Sequence, residues 1–279
     1  MTERLNRCLE ALKARKEGAF VPFLVIGDPN IDLSFSLAET LIENGADILE
    51  FGFAFSDPPA DGPVIQAADQ RALGSKVSVD QAFDYLERVR AHSDIPIALL
   101  VYYNLILSQG VDRFYQRAQK AGVDAILIAD VPVEEAEVSV SAARDTGIAP
   151  IFIVSELTTN ARLAMIAKQA EGYLYLVSRI GITGERQVVS PGLELTMKRI
   201  RAQTQIPVLA GFGISSPEQV QSVMRAGTEG VICGSAVVRR ISDHLDEPDK
   251  MRQSIGEFSS AMKAATRNAL KAVRPVYKI

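Results

Sequence analysis

Two carboxylic acids set the chemistry open to this chain. Residues 50 to 66 read Glu50-Phe51-Gly52-Phe53-Ala54-Phe55-Ser56-Asp57-Pro58-Pro59-Ala60-Asp61-Gly62-Pro63-Val64-Ile65-Gln66. Glu50 stands in a short apolar strand, Ile48 to Phe51, and Asp61 in the Pro-, Gly- and Asp-rich loop that follows. Side chains on a strand alternate faces, so Ile48, Glu50 and Gly52 share one and Leu49 and Phe51 the other. Glu50 therefore points toward a covered surface. An ionised carboxylate there is costly unless it is paired, protonated or used. The plain alternative is that Glu50 caps a helix or pairs with an arginine, and that Asp57 and Asp61 are turn residues.

What the chain lacks narrows the chemistry further. It has two histidines, His92 and His244, too few for a His-rich metal site and poorly placed for a His-based triad. Its two cysteines, Cys8 and Cys233, have no metal or redox spacing, and Cys233 reads as a small core residue at a strand end. No P-loop and no G-x-G-x-x-G follows the first strand. A net charge of −4 and no basic run argue against nucleic acid as a partner. The longest apolar stretch, Ile95 to Tyr103, is too short to span a bilayer, and the polar N-terminus has no signal-peptide core. A cytoplasmic protein is expected, with carboxylates as its acid-base groups and no metal.

The elements that must position these acids repeat. A helical pattern ends in Gly, a polar step follows, then an apolar strand. Asn44-Gly45-Ala46-Asp47, Ala121-Gly122-Val123-Asp124 and Ala226-Gly227-Thr228-Glu229 all show it, and Gly past a helix end suits the left-handed C′ position. A second form places proline at a strand start, as in Ile95-Pro96-Ile97, Ala149-Pro150-Ile151 and Ile206-Pro207-Val208. Continuous apolar strands are read near 20–26, 48–51, 97–102, 125–129, 151–154, 173–177, 208–210 and 231–233, as befits strands covered on both faces. Helical patterns separate them, among them 112–121, 134–146, 160–169 and 216–226. Strict β-α alternation implies a parallel sheet. Eight units in 279 residues fit a single (β/α)8 TIM barrel domain over residues 1–279. An extra N-terminal helix, 3–16, and extra C-terminal helices from Asp249 onward account for the excess. A doubly wound open sheet is the structural alternative. Active sites of barrels lie at the C-terminal ends of the strands, where Glu50 and the Asp61 loop fall.

Glycine-containing loops follow the predicted strands 6, 7 and 8: Gly181-Ile182-Thr183-Gly184, Gly211-Phe212-Gly213-Ile214-Ser215-Ser216-Pro217 and Gly234-Ser235-Ala236. Glycines let backbone N–H groups approach an anion, and a helix N-terminus adds partial positive charge. Together they point to a phosphorylated ligand, although each loop alone could be a tight turn, with Ser216-Pro217-Glu218 simply opening a helix. Phe23, Leu100, Tyr102, Ala129, Ile153 and Tyr175 fall at strand ends and suit a flat apolar ring, or else barrel packing.

On these motifs the chain resembles the tryptophan synthase α subunit family. The matching residues are Phe20-Val21-Pro22-Phe23 with Gly27-Asp28-Pro29, Phe55-Ser56-Asp57-Pro58, and Ala60-Asp61-Gly62-Pro63. Ala129-Asp130-Val131-Pro132, Ser178-Arg179 with Gly181 and Thr183-Gly184, and Gly211-Phe212-Gly213-Ile214 complete the set. The resemblance implies retro-aldol cleavage of indole-3-glycerol phosphate to indole and glyceraldehyde 3-phosphate in tryptophan biosynthesis. It implies a β-subunit partner in an α2β2 heterotetramer, which takes the indole through a tunnel. Pyridoxal phosphate belongs to that partner, with no cofactor in this chain. The family's catalytic Glu and Asp map to Glu50 and Asp61. Its phosphate contacts map to Gly184, Gly213, Gly234 and Ser235, its closing loop carries Thr183, and Phe212 joins the substrate-binding set.

Some positions depart from the family pattern: Phe53-Ala54 for an aliphatic-Pro pair, Pro59 for Leu, Tyr103 for a small residue, Ile180 for Ser, and the Ser155-Glu156-Leu157-Thr158 loop. Most belong to loops that in the family face the β subunit or move on ligand binding. A standalone indole-3-glycerol phosphate lyase is the main alternative. A non-catalytic activator of a β partner and another phosphate-binding barrel are further ones, opposed by the two acids and the loop that links them.

Overall fold

A computed structural model describes residues 3–177, 191–211 and 213–269. Thr183, Gly184, Arg179, Ile180 and Phe212 lie outside the described residues. Eight parallel strands close into a barrel in chain order, as expected: β1 Ala19–Val25, β2 Leu49–Gly52, β3 Ile97–Val101, β4 Ala125–Ile128, β5 Ala149–Ser155, β6 Leu174–Val177, β7 Val208–Gly211 and β8 Gly230–Cys233. The closing pair is β1 with β8, which sets Pro22 opposite Cys233. Alternate residues point inward. Ala19, Val21, Ile48, Ala98, Leu127, Ile151, Tyr173 and Leu209 pack together there.

Helix α1, Glu3–Arg15, plugs the N-terminal end. Leu5, Leu9 and Leu12 make one buried stripe that joins the barrel interior. Around the barrel run α2 Ile31–Glu43, α3 Pro63–Gly74, α4 Val79–His92, α5 Tyr103–Gln109, α6 Val111–Lys120 and α7 Glu137–Thr146. The ring continues with α8 Asn160–Gln169, α9 Pro191–Arg201, α10 Pro217–Arg225 and α11 Ser235–Ser242. Helix starts follow their sequence signals. Ser78 and Ser216 each form a capping box, with Gln81 and Gln219, and Pro217 opens α10.

The repeated Gly-x-acid step has a structural purpose. Gly45, Gly122 and Gly227 have φ of 95°, 79° and 101°, the left-handed turn expected of them. The acid that ends each step accepts the backbone N–H of a neighbouring strand start: Asp47 from Phe20 at 2.8 Å, Asp124 from Ile97 at 2.9 Å, and Glu229 from Val208 at 2.8 Å. Each acid thus ties one strand to the next at the barrel floor.

Two expectations need correction. The helix read over 134–146 is split into a 3-10 turn, Val133–Glu135, and α7, with Ala136 between them. The hydrophobic spacing runs through both, but Pro132 fixes the entry and the turn tightens to i+3 bonds. The C-terminal region is one long helix among the described residues, α12 Pro248–Ala269, rather than several. It crosses α2 and α10 and buries Met251, Ile255, Met262 and Lys263.

Candidate active site

The β-strand register brings the two acids to one cavity. Phe23 on β1 pairs with Glu50 on β2, and Glu50 with Ala98 on β3. Gly52 makes room for this arrangement, because a Cβ there would meet Phe23 Cζ at 2.7 Å. Gly211 does the same on the far wall, where a Cβ would stand 2.4 Å from the Tyr175 ring. The cavity at the C-terminal end of the barrel has a volume of ≈ 350 Å³. Glu50 and Asp61 line it, with Phe23, Leu100, Ala129, Ile153 and Tyr175 from the predicted apolar set. Gly213, Gly234 and Ser235 form another part of the lining.

The acids have different surroundings. Glu50 is 1% exposed, and its Oε1 has no hydrogen-bond partner among the described residues. Burial first, and the nearby Asp61 charge second, push its carboxyl up to about 8. Asp61 is half-buried, and its carboxyl is also raised by burial, but a donor opposes that shift. The Tyr102 hydroxyl donates to Asp61 Oδ2 at 2.6 Å. Glu50 is accordingly the group that keeps its proton near neutral pH, while the Tyr102 donor favours the carboxylate form of Asp61.

Tyr102 is placed differently from expectation. It is buried behind the Asp61 loop and does not line the cavity. Its ring stacks on Phe55, with centroids 5.1 Å apart and 21° between planes, and its hydroxyl accepts the Ala60 N–H at 3.2 Å. It is the N-cap residue of α5, past the end of β3, so its side chain has left the inward alternation.

Where the sequence predicts phosphate contacts, α11 opens at Gly234, whose carbonyl accepts from the Val237 and Val238 N–H groups. The earlier N–H groups of a helix have no partner within it and suit an anion. Gly213 has φ 77° and nothing within 4 Å of a built Cβ, so the backbone is open to a ligand there. The reading of Ser216-Pro217-Glu218 as a helix start also holds.

Sequence reasoning missed several lining residues. Leu127 lies two residues before Ala129 on the inward face of β4, so strand alternation could have found it. Arg239 and Arg240 also reach the cavity. Arg239 falls one helical turn beyond Ser235, a spacing that places both on one face. Arg240 lies over the Phe258 ring, 3.9 Å from its centroid, and donates to the Ala236 carbonyl at 2.7 Å. Nothing in the sequence pattern marked Ile65, from α3, as a wall of the same cavity.

A closed parallel barrel carries two unlike carboxyls in one largely apolar pocket, with Gly213, Gly234 and Ser235 also lining it. The family follows from comparison. The model of the tryptophan synthase alpha chain family matches residues 9–267, and the chain belongs to that family. The tryptophan synthase alpha chain of Methanoregula boonei is 48% identical over 92% of this chain and 97% of its own length. That of Shewanella amazonensis is 47% identical over 94% and 99%. Among solved structures, the alpha subunit from Legionella pneumophila superposes with a TM-score of 0.87 at 34% identity, covering 95% of this chain and 98% of that one. An alpha chain from the Pyrococcus furiosus α2β2 complex gives 0.82 at 34%, covering 88% and 98%.

Proposed function

We propose that Glu50 and Asp61 carry out the family's lyase reaction, the retro-aldol cleavage of indole-3-glycerol phosphate. The observation that carries this is Glu50: a carboxyl 1% exposed, its Oε1 without a hydrogen-bond partner among the described residues, in the same cavity as Asp61. Breaking the bond from indole C3 to the glycerol side chain requires a proton on C3, and neutral Glu50 supplies it. Positive charge then develops at the indole nitrogen, where the Asp61 carboxylate accepts the N–H. As the carbon–carbon bond breaks, its electron pair returns to the ring and the adjacent hydroxyl becomes the aldehyde. The hydroxyl proton passes to Glu50, now a carboxylate, which restores the acid. The products are indole and glyceraldehyde 3-phosphate. Phe23, Leu100, Ile153 and Tyr175 enclose the ring, and Gly213, Gly234 and Ser235 hold the phosphate. Thr183, Gly184 and Phe212 remain part of this proposal on motif grounds.

The chain works with a tryptophan synthase β subunit, as the Pyrococcus furiosus α2β2 complex among its structural relatives supports. Pyridoxal phosphate is assigned to that partner, since this half-reaction needs only proton transfer. A cytoplasmic location and a single barrel domain complete the reading; no helix among the described residues is long and apolar enough to cross a membrane. One observation favours the standalone lyase as a second reading. Asp61 is already held by Tyr102 within this chain. The four altered loop residues bear on it unequally. Phe53 is core, packed on Phe83 and Phe114 with centroids 5.3 and 6.0 Å away, whereas Pro59 is exposed and Ala54 and Tyr103 are half-buried. The test is indole release from indole-3-glycerol phosphate, with and without a β subunit. A large gain on adding the β subunit is expected. High output unchanged by the β subunit would establish the standalone reading, and no indole under either condition would sink both.

A further inference from the structure

Two cations of the cavity take no part in the chemistry above. Arg239 and Arg240, on α11, line it beside Gly234, Ser235 and Ala236, and they are its cationic walls among the described residues. Arg239 is exposed and Arg240 half-buried. Neither forms an ion pair with a carboxylate among the described residues. Asp243, one turn further on, acts on Arg240 through its charge alone. Other arginines around the barrel are matched. Arg71, on the adjacent α3, donates to both Asp28 oxygens, at 2.6 and 2.9 Å, and Arg201 pairs with Glu229. The Arg240 guanidinium is fixed in place. Its Nη1 donates back to the Ala236 carbonyl at 2.7 Å, and its Cζ stands 3.9 Å from the Phe258 ring centroid. Ala236 adjoins Ser235, so this side chain runs toward the start of α11. Its Nε and Nη2 donate to no protein atom among the described residues. Helical side chains lean toward the helix N-terminus, so Arg239 covers the turn that begins at Ser235.

We propose that Arg239 and Arg240 bind the phosphate of the substrate and set the preference of this site for a phosphorylated ligand. The inference rests on the phosphate assignment made above for Gly213, Gly234 and Ser235. Charge balance supports it. A phosphate monoester carries roughly −1.5 to −2 at neutral pH, whereas a helix N-terminus supplies only about +0.5. Backbone N–H groups therefore leave most of that charge unmatched, in a cavity that also holds two carboxyls, Glu50 and Asp61. Two guanidiniums bring it close to balance. Their planar forks donate to phosphate oxygens in pairs, which an ammonium cannot do. Arg240 is already braced by Phe258 and Ala236, so little side-chain freedom is lost when it takes a phosphate. A covering role for the Arg240 stem would explain its stack on Phe258, but not the second unpaired cation beside it.

The test compares phosphorylated with unphosphorylated ligands, using the full chain with its β subunit. The double variant combines Arg239→Gln with Arg240→Met, since Met keeps an apolar contact with Phe258. Its ratio of kcat/KM for indole-3-glycerol phosphate over indole-3-glycerol should fall at least about tenfold, through KM for the phosphorylated substrate. Arg239→Gln alone should lower the ratio about fivefold, whereas Arg239→Lys, which keeps the charge, should stay within about twofold of wild type. Calorimetry with glycerol 3-phosphate repeats the comparison without turnover. The double variant should bind it at least about tenfold more weakly than wild type, by a margin that shrinks at high salt. Arg239→Gln alone decides, at its fivefold threshold, if the double variant does not fold. An unchanged ratio, an unchanged affinity for glycerol 3-phosphate, or an equal loss on both substrates would each overturn the proposal. A wild-type chain that binds no glycerol 3-phosphate would remove the phosphate assignment and this proposal with it. Absence of indole, while glycerol 3-phosphate still binds through the two arginines, would instead contradict the lyase reading alone.

Discussion

The two ends of the barrel treat buried charge in opposite ways. At the floor, acids meet cations. Lys263 Nζ lies 2.8 and 2.9 Å from the Asp47 oxygens and 3.3 Å from Glu17, and it donates to the Gly18 carbonyl at 3.3 Å. Asp124 is held by Arg4 at 2.8 Å and Arg90 at 3.1 Å. Burial raises the carboxyls of Asp47 and Asp124, but these cations pull them back. At the mouth Asp28 keeps a cation, Arg71, but Glu50 and Asp69 are raised first by burial and then by neighbouring acids, to about 8 and about 7. Paired charge at the floor ties strands and helices together. Unpaired charge at the mouth makes protons available near neutral pH. The same residue type thus serves stability or chemistry according to whether a cation stands beside it.

The floor should show the larger effect on folding. Lys263→Met leaves Asp47 and Glu17 without their shared cation and should cost about 3–5 kcal/mol in denaturant unfolding. The folded fraction should keep its kcat. A drop in turnover at unchanged stability would break the division between the two ends.

Glu50→Gln is the converse at the mouth. Loss of the general acid should lower kcat at least ~10²-fold, or about 2.7 kcal/mol of activation free energy. Stability should not fall with it. The sign follows from linkage. Folded Glu50 binds a proton up to about 8, whereas the unfolded chain releases it near the ordinary 4.5. Across that window the folded state holds more protons, so this residue's contribution to stability declines as pH rises. Gln does not titrate, so the variant's melting advantage should grow from about pH 5 to about pH 9. Wild-type kcat should decline above about 8 for the same reason. An advantage constant with pH would mean that Glu50 is paired after all.

Smaller effects sharpen the picture within the mouth. Asp61→Asn should reduce kcat about tenfold or more with little change in KM, seen in steady-state kinetics across substrate concentrations. A change confined to KM would make Asp61 a binding group. Tyr102→Phe keeps the stack on Phe55 and removes only the hydroxyl. It should cost about fivefold in kcat, near 1 kcal/mol for one hydrogen bond. An equal loss in the Asp61→Asn variant would show that Tyr102 acts through something other than Asp61.

Much of this molecule was legible from residue order alone. Apolar runs at regular intervals marked the eight strands, because strands covered on both faces carry no polar alternation. Ser216-Pro217 announced its helix through local capping, which needs no distant partner. Glu50 was visible as an acid in an apolar strand, and Asp61 through its motif. The sequence also placed glycines where Phe23 and Tyr175 later proved to need room, although the reason for Gly52 and Gly211 lies across the barrel. Tertiary structure decided what depends on side chains brought together from distant strands and helices. It withdrew Tyr102 from the pocket and set it behind Asp61, 41 positions away in sequence. It buried Phe53 among Phe83 and Phe114, and it turned an unremarked helical acid, Asp69, into a neighbour of the site. It also separated the acids into paired and unpaired. A carboxylate's pKa depends on the solvent and charges around it, and those are fixed only when the barrel closes.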